Sequence, residues 1–534
     1  MQGGLTVKRR ISLFLSLALI LACFPGCGRV IDNSGYEPTG DALLMDGQDP
    51  EDLIQDKEPQ ELTLAYCPSR SMNPLIGYNQ NNRLLMSLIY QGLFATDNNG
   101  MSHPILCSAY YVTPDNRTWS FQIEPLATFS DGTRVTLEDV KASYDYARTE
   151  SSYYKGRFTY VHDIQIEDNA IVFYLTTPYE NLALLLDIPI VKAEDVSAEH
   201  PRGTGPYTFE EGLSGTYMAK NRNWWGRMEI AATADSIRLM EAETDAEIRD
   251  LFEFGDVGVV CTNPLSDSYA DFRCDYELWD CDSGMFLYLA CNVQYSKYFE
   301  DGYLRTVLTY AIDRQHIVDT YYHGHAQIAT LAVSPSSKQY SKSLAAKYGY
   351  DSLKFISAIG GWQVPKFPDE PNRVLRILVN CDDSARLRAA RDIAETLTEF
   401  GIPAGTLEYG GSTNPTYEVV LRAENWDMYL GQTRLPPTGD LSEFFRGWGN
   451  LKWGGLPHED ILTLCKESLA NSGNYYNLVQ LLADDGRIIP LLFGDFAVYA
   501  KRGLLPGLSP SRDNVFFYTM GKTMEGIRIE TKYN

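Results

Sequence analysis

An α/β fold with mixed sheets is what this sequence predicts, and three observations carry the prediction. Residues 373–410 read as strand, helix, strand: "RVLRILVN", then helical spacing from Ser384 to Phe400 stopped by Gly401, then "AGTLEYG". "TWSFQI" at 118–123 alternates as a strand and is followed by a turn and a helix start. Two apolar runs, "DMYLGQT" from Asp427 and "IIPLLF" at 488–493, have the length of buried strands. No fixed-period repeat is visible.

Taken in order, the chain opens with Lys8, Arg9 and Arg10 before the apolar run Ile11–Ala22. That run is too short for a bilayer-spanning helix, which needs about 20 residues. Its charged start and small Ala22 predict a secretory signal over 1–22. Ile20-Leu21-Ala22-Cys23 resembles the lipobox of bacterial lipoproteins, which implies cleavage before Cys23 and lipid on that cysteine; Cys27 is the second candidate. From Asp32 to about Glu61 the chain is acidic and poor in aromatics, so residues 23–61 are expected to form a flexible leash.

The folded part begins near Leu62 with the strand pattern "LTLAY". In "SDGT" (130–133) Gly132 suits a turn, and Asp131 caps it. Thr136-Leu137-Glu138-Asp139 forms a capping box for a helix through Val140, Tyr144 and Ala147. Leu304, Val307, Leu308, Ala311 and Ile312 lie at the spacing of one amphipathic helix, and Asp313-Arg314 reads as a local ion pair or a helix-end contact.

Composition narrows the function classes. A net charge of −24 argues against nucleic-acid binding, which needs a Lys/Arg excess, and against broad adhesion to anionic lipid. Apolar residues make up 44%, enough to fill cores, and 534 residues predict roughly two to four domains. The 35 tyrosines suit half-wet surfaces such as ligand clefts. Beyond Cys23 and Cys27 there are eight cysteines, with Cys274 and Cys281 closest in sequence; an oxidising compartment permits pairing, but spacing does not reveal it. Without CxxC, HExxH, GxSxG, a P-loop or GxGxxG, no zinc ribbon, redox motif or common catalytic motif is present. Ser152-Tyr-Tyr-Lys155 has the SxxK spacing but lacks its KTG and SDN companions. His323-Gly-His325 lacks the further ligands a metal needs, so no metal or other cofactor is expected.

Several segments resemble, in order, the extracytoplasmic solute-binding proteins of ABC importers, family 5, the oligopeptide/nickel-binding type. Within 89–140 these are "GLF", the Asp97–Gly100 turn, "TWSF" and "FSDGTRVTLEDV"; later come "GTGPYTF" (203–209), "KNRNWWG" (220–226), "LRTVLTYAIDRQHIV" (304–318) and "IIPLLF". The resemblance implies a two-lobed periplasmic-binding-protein-like α/β fold with an extra subdomain in lobe one. It divides the chain into lobe one (62–285, subdomain about 78–197), lobe two (286–484, ligand-binding) and a return to lobe one (485–534). It implies a non-catalytic monomer outside the cytoplasm, touching the membrane only through its lipid. The ligand would be an oligopeptide or other small polar solute, and the partners ABC permease subunits with a cytoplasmic ATPase. Peptide sensing without uptake, and an extracellular hydrolase, are the alternatives.

Peptide-binding members carry Trp-x-x-Asp-Tyr-x-Asp/Glu-Pro in lobe two, whose acid pairs with the peptide amine. The matching stretch here, "QTRLPPTGDLSEFF" (432–445), lacks the tryptophan and has Arg434 and two prolines, with Asp440 near the later acid. A cation there would favour a carboxylate or phosphate; Arg434 capping a surface loop is the other reading. Position in the family suggests Ser69, Arg70, Tyr153, Tyr154 and Trp426 as further cleft residues, Trp426 being also a core candidate.

Overall fold

The computed structural model describes residues 29–31, 62–77, 79–151, 153–213, 215–226, 233–265 and 272–530. The signal, Cys23 and most of the leash expected over 23–61 lie outside them. Arg29–Ile31 is the exception, since it pairs antiparallel with Tyr276–Leu278. These three residues are therefore docked backbone rather than leash: their N–H and C=O groups find a sheet edge to satisfy them.

Hydrophobic burial separates into two halves. One core is built from residues 62–281 and 496–527, joined by Leu469. The other is built from buried residues within 286–493, with Leu265 packed against it. Two long antiparallel strands, Tyr276–Cys291 and Ile488–Lys501, run through both halves and pair from Tyr276↔Lys501 to Ala290↔Ile488. Their register slips between Asp282 and Met285, where the glycine at 284 takes φ +70°. A bulge there re-aims the strands as they pass from one half to the other.

A twelve-stranded mixed sheet is organised around this pair. On one side Met428–Arg434 pairs antiparallel with Tyr276–Cys291, then the parallel strands Leu375–Asn380 and Ala404–Tyr409 follow. On the other side lie Val259–Thr262, Thr63–Tyr66, Ser236–Glu241 and the hairpin Tyr207–Lys220. A separate four-stranded sheet (Cys107–Val112, Thr118–Ile123, Ala170–Leu175, Val161–Glu167) packs into the first core.

Local chemistry explains these elements. Thr136 accepts from the Asp139 N–H while Asp139 accepts from the Thr136 N–H, so the helix Leu137–Thr149 starts on a true capping box. The turn before it closes through Gly132 at φ +81°. The expected strand–helix–strand unit is present as Leu375–Asn380, Ser384–Glu399 and Ala404–Tyr409. "IIPLLF" is the start of a longer strand that continues to Lys501.

One expectation is corrected. Residues 304–312 do not form a single helix: Tyr303–Val307 is α, Leu308–Ala311 is 3-10, and Ile312 is extended. A new helix, Arg314–Tyr321, starts because the Asp313 carboxylate accepts the His316 N–H at 3.0 Å. The eight described cysteines are all free thiols, so Cys274 and Cys281 are not joined.

Candidate functional site

A cavity of about 1130 Å³ opens between the two halves. Tyr110, Trp119 and Glu180 face it from the first half, and Val333, Pro436 and Thr438 from the second. Trp279, Asp280 and Asp282 of the shared strands form its floor, beside Arg512. Trp119 stacks on Tyr110 with ring centroids 5.5 Å apart and donates its indole N–H to the Tyr179 carbonyl at 3.1 Å, which fixes an aromatic wall.

Hydrogen bonds bridge the halves beside the cavity. The Tyr160 and Ser442 hydroxyls are 2.6 Å apart, and those of Tyr179 and Thr438 are 2.7 Å apart. The Glu180 N–H donates to the Leu469 carbonyl at 2.8 Å, and its carboxylate accepts the Ser472 N–H at 2.6 Å. The two bodies thus meet partly through polar pairs, buried at Tyr160–Ser442 and Tyr179–Thr438 and exposed at Glu180–Ser472.

Strand geometry explains the acidic floor. Asp280 and Asp282 are two residues apart and share a face, and Asp495 stands directly opposite Asp282 on the neighbouring strand. His325 Nδ1 lies 2.6 Å from Asp280 Oδ1, and Gln327 donates to Asp495 at 3.2 Å. Like charges directly opposite on paired strands are destabilising. Burial first, then Asp282 and Asp280, push the Asp495 carboxyl up to about 7.

The sign of the linkage follows. An acid whose folded pKa is raised binds more protons folded than unfolded, so it costs stability above its unfolded value. The penalty is absent below pH about 4, grows as pH rises, and is constant above about 7. Asp495→Asn should therefore leave thermal stability unchanged at pH 4 and raise it increasingly towards pH 8. A gain independent of pH would contradict this account.

A second charged cluster lies alongside, built on Asp513. Its carboxylate accepts from Arg434 at 2.9 Å, from Arg157 at 3.4 Å and from the Tyr153 hydroxyl, with Arg83 at 3.7 Å. Arg157 also pairs with Asp187. Burial raises the Asp513 carboxyl, but Arg434, Arg157, Arg83 and Arg512 overcome this and hold it far below the ordinary carboxylate range.

The structure brings three of the sequence candidates, Tyr153, Tyr154 and Arg434, together and disperses the others. Arg434 donates to the Tyr153 hydroxyl and to the Ser283 carbonyl at 2.9 Å, and its guanidinium sits 4.8 Å over the Tyr153 ring. Arg434 is thus neither a surface-loop cap nor a free cation of the cavity; Asp513 already balances it. Tyr154 is buried between Arg83 and Arg157, with centroid distances of 5.9 and 4.9 Å, at the edge of a smaller cavity of about 60 Å³.

Trp426 is a core residue, 1% exposed, with its indole N–H donated to the Leu421 carbonyl at 3.1 Å. Ser69 and Arg70 are exposed and do not line the cavity; Ser69 is held by Glu243 through its N–H at 3.1 Å. Asp440 turns away from the cavity to accept the Ser442 N–H at 2.9 Å, while its neighbours Thr438 and Gly439 do line it. Sequence reasoning missed Asp280, Asp282, Asp495, Arg512 and Asp513. Alternating Asp280 and Asp282 in "LWDCDSG" was a readable sign of a polar strand face. Nothing local marks Arg512-Asp513.

Residues 102–454 match the family described as bacterial extracellular solute-binding proteins, family 5 Middle. Among curated proteins, the glutathione-binding protein GsiB of Escherichia coli O1:K1 / APEC is 25% identical over 294 residues, covering 52% of this chain and 57% of that protein. The chain therefore aligns with a little over half the length of that relative. The fold is shared with the ABC transporter substrate binding protein CtaP of Listeria monocytogenes (TM-score 0.69, 15% identity, 86% of this chain and 98% of that one). It is shared also with the oligopeptide-binding protein AppA of Bacillus subtilis, solved with a nonapeptide (TM-score 0.58, 17% identity, 87% and 99%). NikZ of Campylobacter jejuni, solved with Ni(L-His), has TM-score 0.60 at 17% identity over 86% of this chain and 98% of that one.

Proposed function

Because this chain belongs to the bacterial extracellular solute-binding proteins of family 5, we propose that it captures a peptide-sized solute between its lobes and delivers it to the membrane permease of an ABC importer. It is a binding protein and not an enzyme, as its family is. The observation that carries the peptide reading is the cavity of about 1130 Å³, walled by both lobes and floored by the strands they share. Small-molecule sites usually enclose roughly 300–1,000 Å³, so this one has room for more than a drug-sized ligand. Its wall mixes aromatic rings with carboxylates, hydroxyls and a guanidinium, which suits a chain of amides with charged ends. AppA and GsiB, whose names record peptide and glutathione, favour the same class.

The lobes divide near residues 285 and 485, and closure needs no chemistry. Solute that touches both lobes binds the closed arrangement better than the open one, and the population shifts accordingly. The bridging pairs of Tyr160 with Ser442 and Tyr179 with Thr438 are among the contacts that opening would exchange for water. Cys23 carries the lipid, which raises the local concentration of the protein at its permease.

Native mass spectrometry tests the reading. The purified protein, incubated with a mixed peptide pool, should retain intact peptides; release of cleaved products, or no retained mass, would overturn it. Radiolabelled palmitate should enter the wild type and be absent from Cys23→Ala, and label persisting in the variant would move the anchor to another residue.

A further inference from the structure

The arginines around Asp513 are not balanced. Arg83, Arg157, Arg434 and Arg512 crowd the same region, and among the described residues only Asp513 and Asp187 are ion-paired with them. Arg434 is satisfied by Ser283, Tyr153 and Asp513, and Arg157 by Asp187 and Asp513. Arg512 differs. It makes no ion pair among the described residues, donates from one terminal nitrogen to the Leu435 carbonyl, and leaves its buried Nε without a partner. Unlike the other three, it lines both the charged cluster and the large cavity. Buried cationic groups are normally paired and their N–H groups satisfied, so an underpaired guanidinium at a cavity wall lacks an acceptor.

The nearby carboxylates do not supply it. Asp513 is spent on Arg434, Arg157 and Tyr153. Asp282 accepts the Gly284 N–H at 2.7 Å with one oxygen and the Ser334 hydroxyl with the other. The guanidinium is also fixed in place, because it lies over the bare α-carbon of Gly284, where any side chain would overlap it. Burial, then the charge of Arg434, push the Arg512 pKa down to about 10 against the opposing pull of Asp513 and Asp282.

We propose that Arg512 anchors a carboxylate of the solute held in the interlobe cavity. The group is the free C-terminus or an acidic side chain of a peptide, either of which meets a guanidinium fork through two parallel N–H···O bonds. The role that the sequence suggested for Arg434 thus passes to a residue 78 positions further along the chain, because Arg434 already has its carboxylate in Asp513. The inference rests on the peptide reading of the cavity.

The test uses the full mature protein and three synthetic libraries of tri- to pentapeptides with random neutral residues. The first has free C-termini, the second has amidated C-termini, and the third is amidated with one internal Glu. Binding is read by calorimetry and by native mass spectrometry. Wild type should bind either the first or the third library at least tenfold more tightly than the second, which also tells terminus from side chain. In Arg512→Gln that preference should vanish, with circular dichroism and thermal unfolding showing that the variant is folded. Arg512→Lys should keep part of the preference. Equal binding of all three libraries by wild type, or a preference that survives in Arg512→Gln, overturns the inference and leaves the peptide reading intact. Failure of wild type to bind any library overturns both.

Discussion

Asp513→Asn should destabilise the protein by about 3–5 kcal/mol, the usual cost of removing one partner from a buried charge cluster. The substitution keeps the shape and removes the charge that Arg434, Arg157 and Arg83 converge on. Those guanidiniums would lose the anion they share where strand Met428–Arg434 meets the segment carrying Asp513. Equilibrium unfolding in urea at pH 7 measures the loss. Because the folded pKa of Asp513 is depressed, its contribution is present above the unfolded value near 4 and is lost only as pH falls through the folded one, so the deficit of the variant should be flat from pH 5 to pH 8. Solute affinity should fall as well, since Arg434 on one lobe and Tyr153 on the other meet through this carboxylate. A loss under 1 kcal/mol would mean the arginines are solvated independently of it.

Arg314→Met should cost about 4 kcal/mol or more, at the upper end for a single substitution. Arg314 is 2% exposed, and its guanidinium donates to the carbonyls of Pro490 (2.8 Å), Ala329 (3.0 Å), Thr309 (3.0 Å) and Ile312 (3.3 Å) and to the Thr309 hydroxyl (2.9 Å). Four backbone carbonyls from separate segments are thereby held by one side chain, and each one left bare costs about 1–3 kcal/mol. Burial pushes its pKa down to about 10, still far above neutrality, so it stays charged. Arg314→Lys should recover only part of the loss, because an ammonium cannot spread donors as a planar fork does. Denaturant unfolding of the three proteins side by side would show the order, and a lysine variant as stable as wild type would refute the multidentate account.

These two arginines mark how far sequence reading reached. "AIDRQ" read as a local ion pair or a helix-end contact, and the structure has Asp313 capping the helix Arg314–Tyr321. It did not reveal that Arg314 points into the core, since an arginine beside an aspartate is more often a local surface pair. Nor could helical spacing at Leu304–Ile312 disclose the break at Ile312, because apolar periodicity continues through a change from α to 3-10 winding. For the site, Tyr153 and Arg434 were within reach as positions, whereas their shared carboxylate was not.

By itself the sequence determined what depends on near neighbours: the capping box at Thr136, the turn at Gly132, the strand–helix–strand unit of 375–409, and the motif order that identifies the family. Tertiary structure alone decided which charges meet. Tyr153 reaches Asp513 across 360 residues and Arg434 reaches it across 79, through strands that cross between lobes. A side chain's partner at such separation is set by sheet order and by a bulge at Asp282–Met285, not by any local pattern of residues. The same crossing leaves Arg512 at the cavity wall with its Nε unpartnered among the described residues.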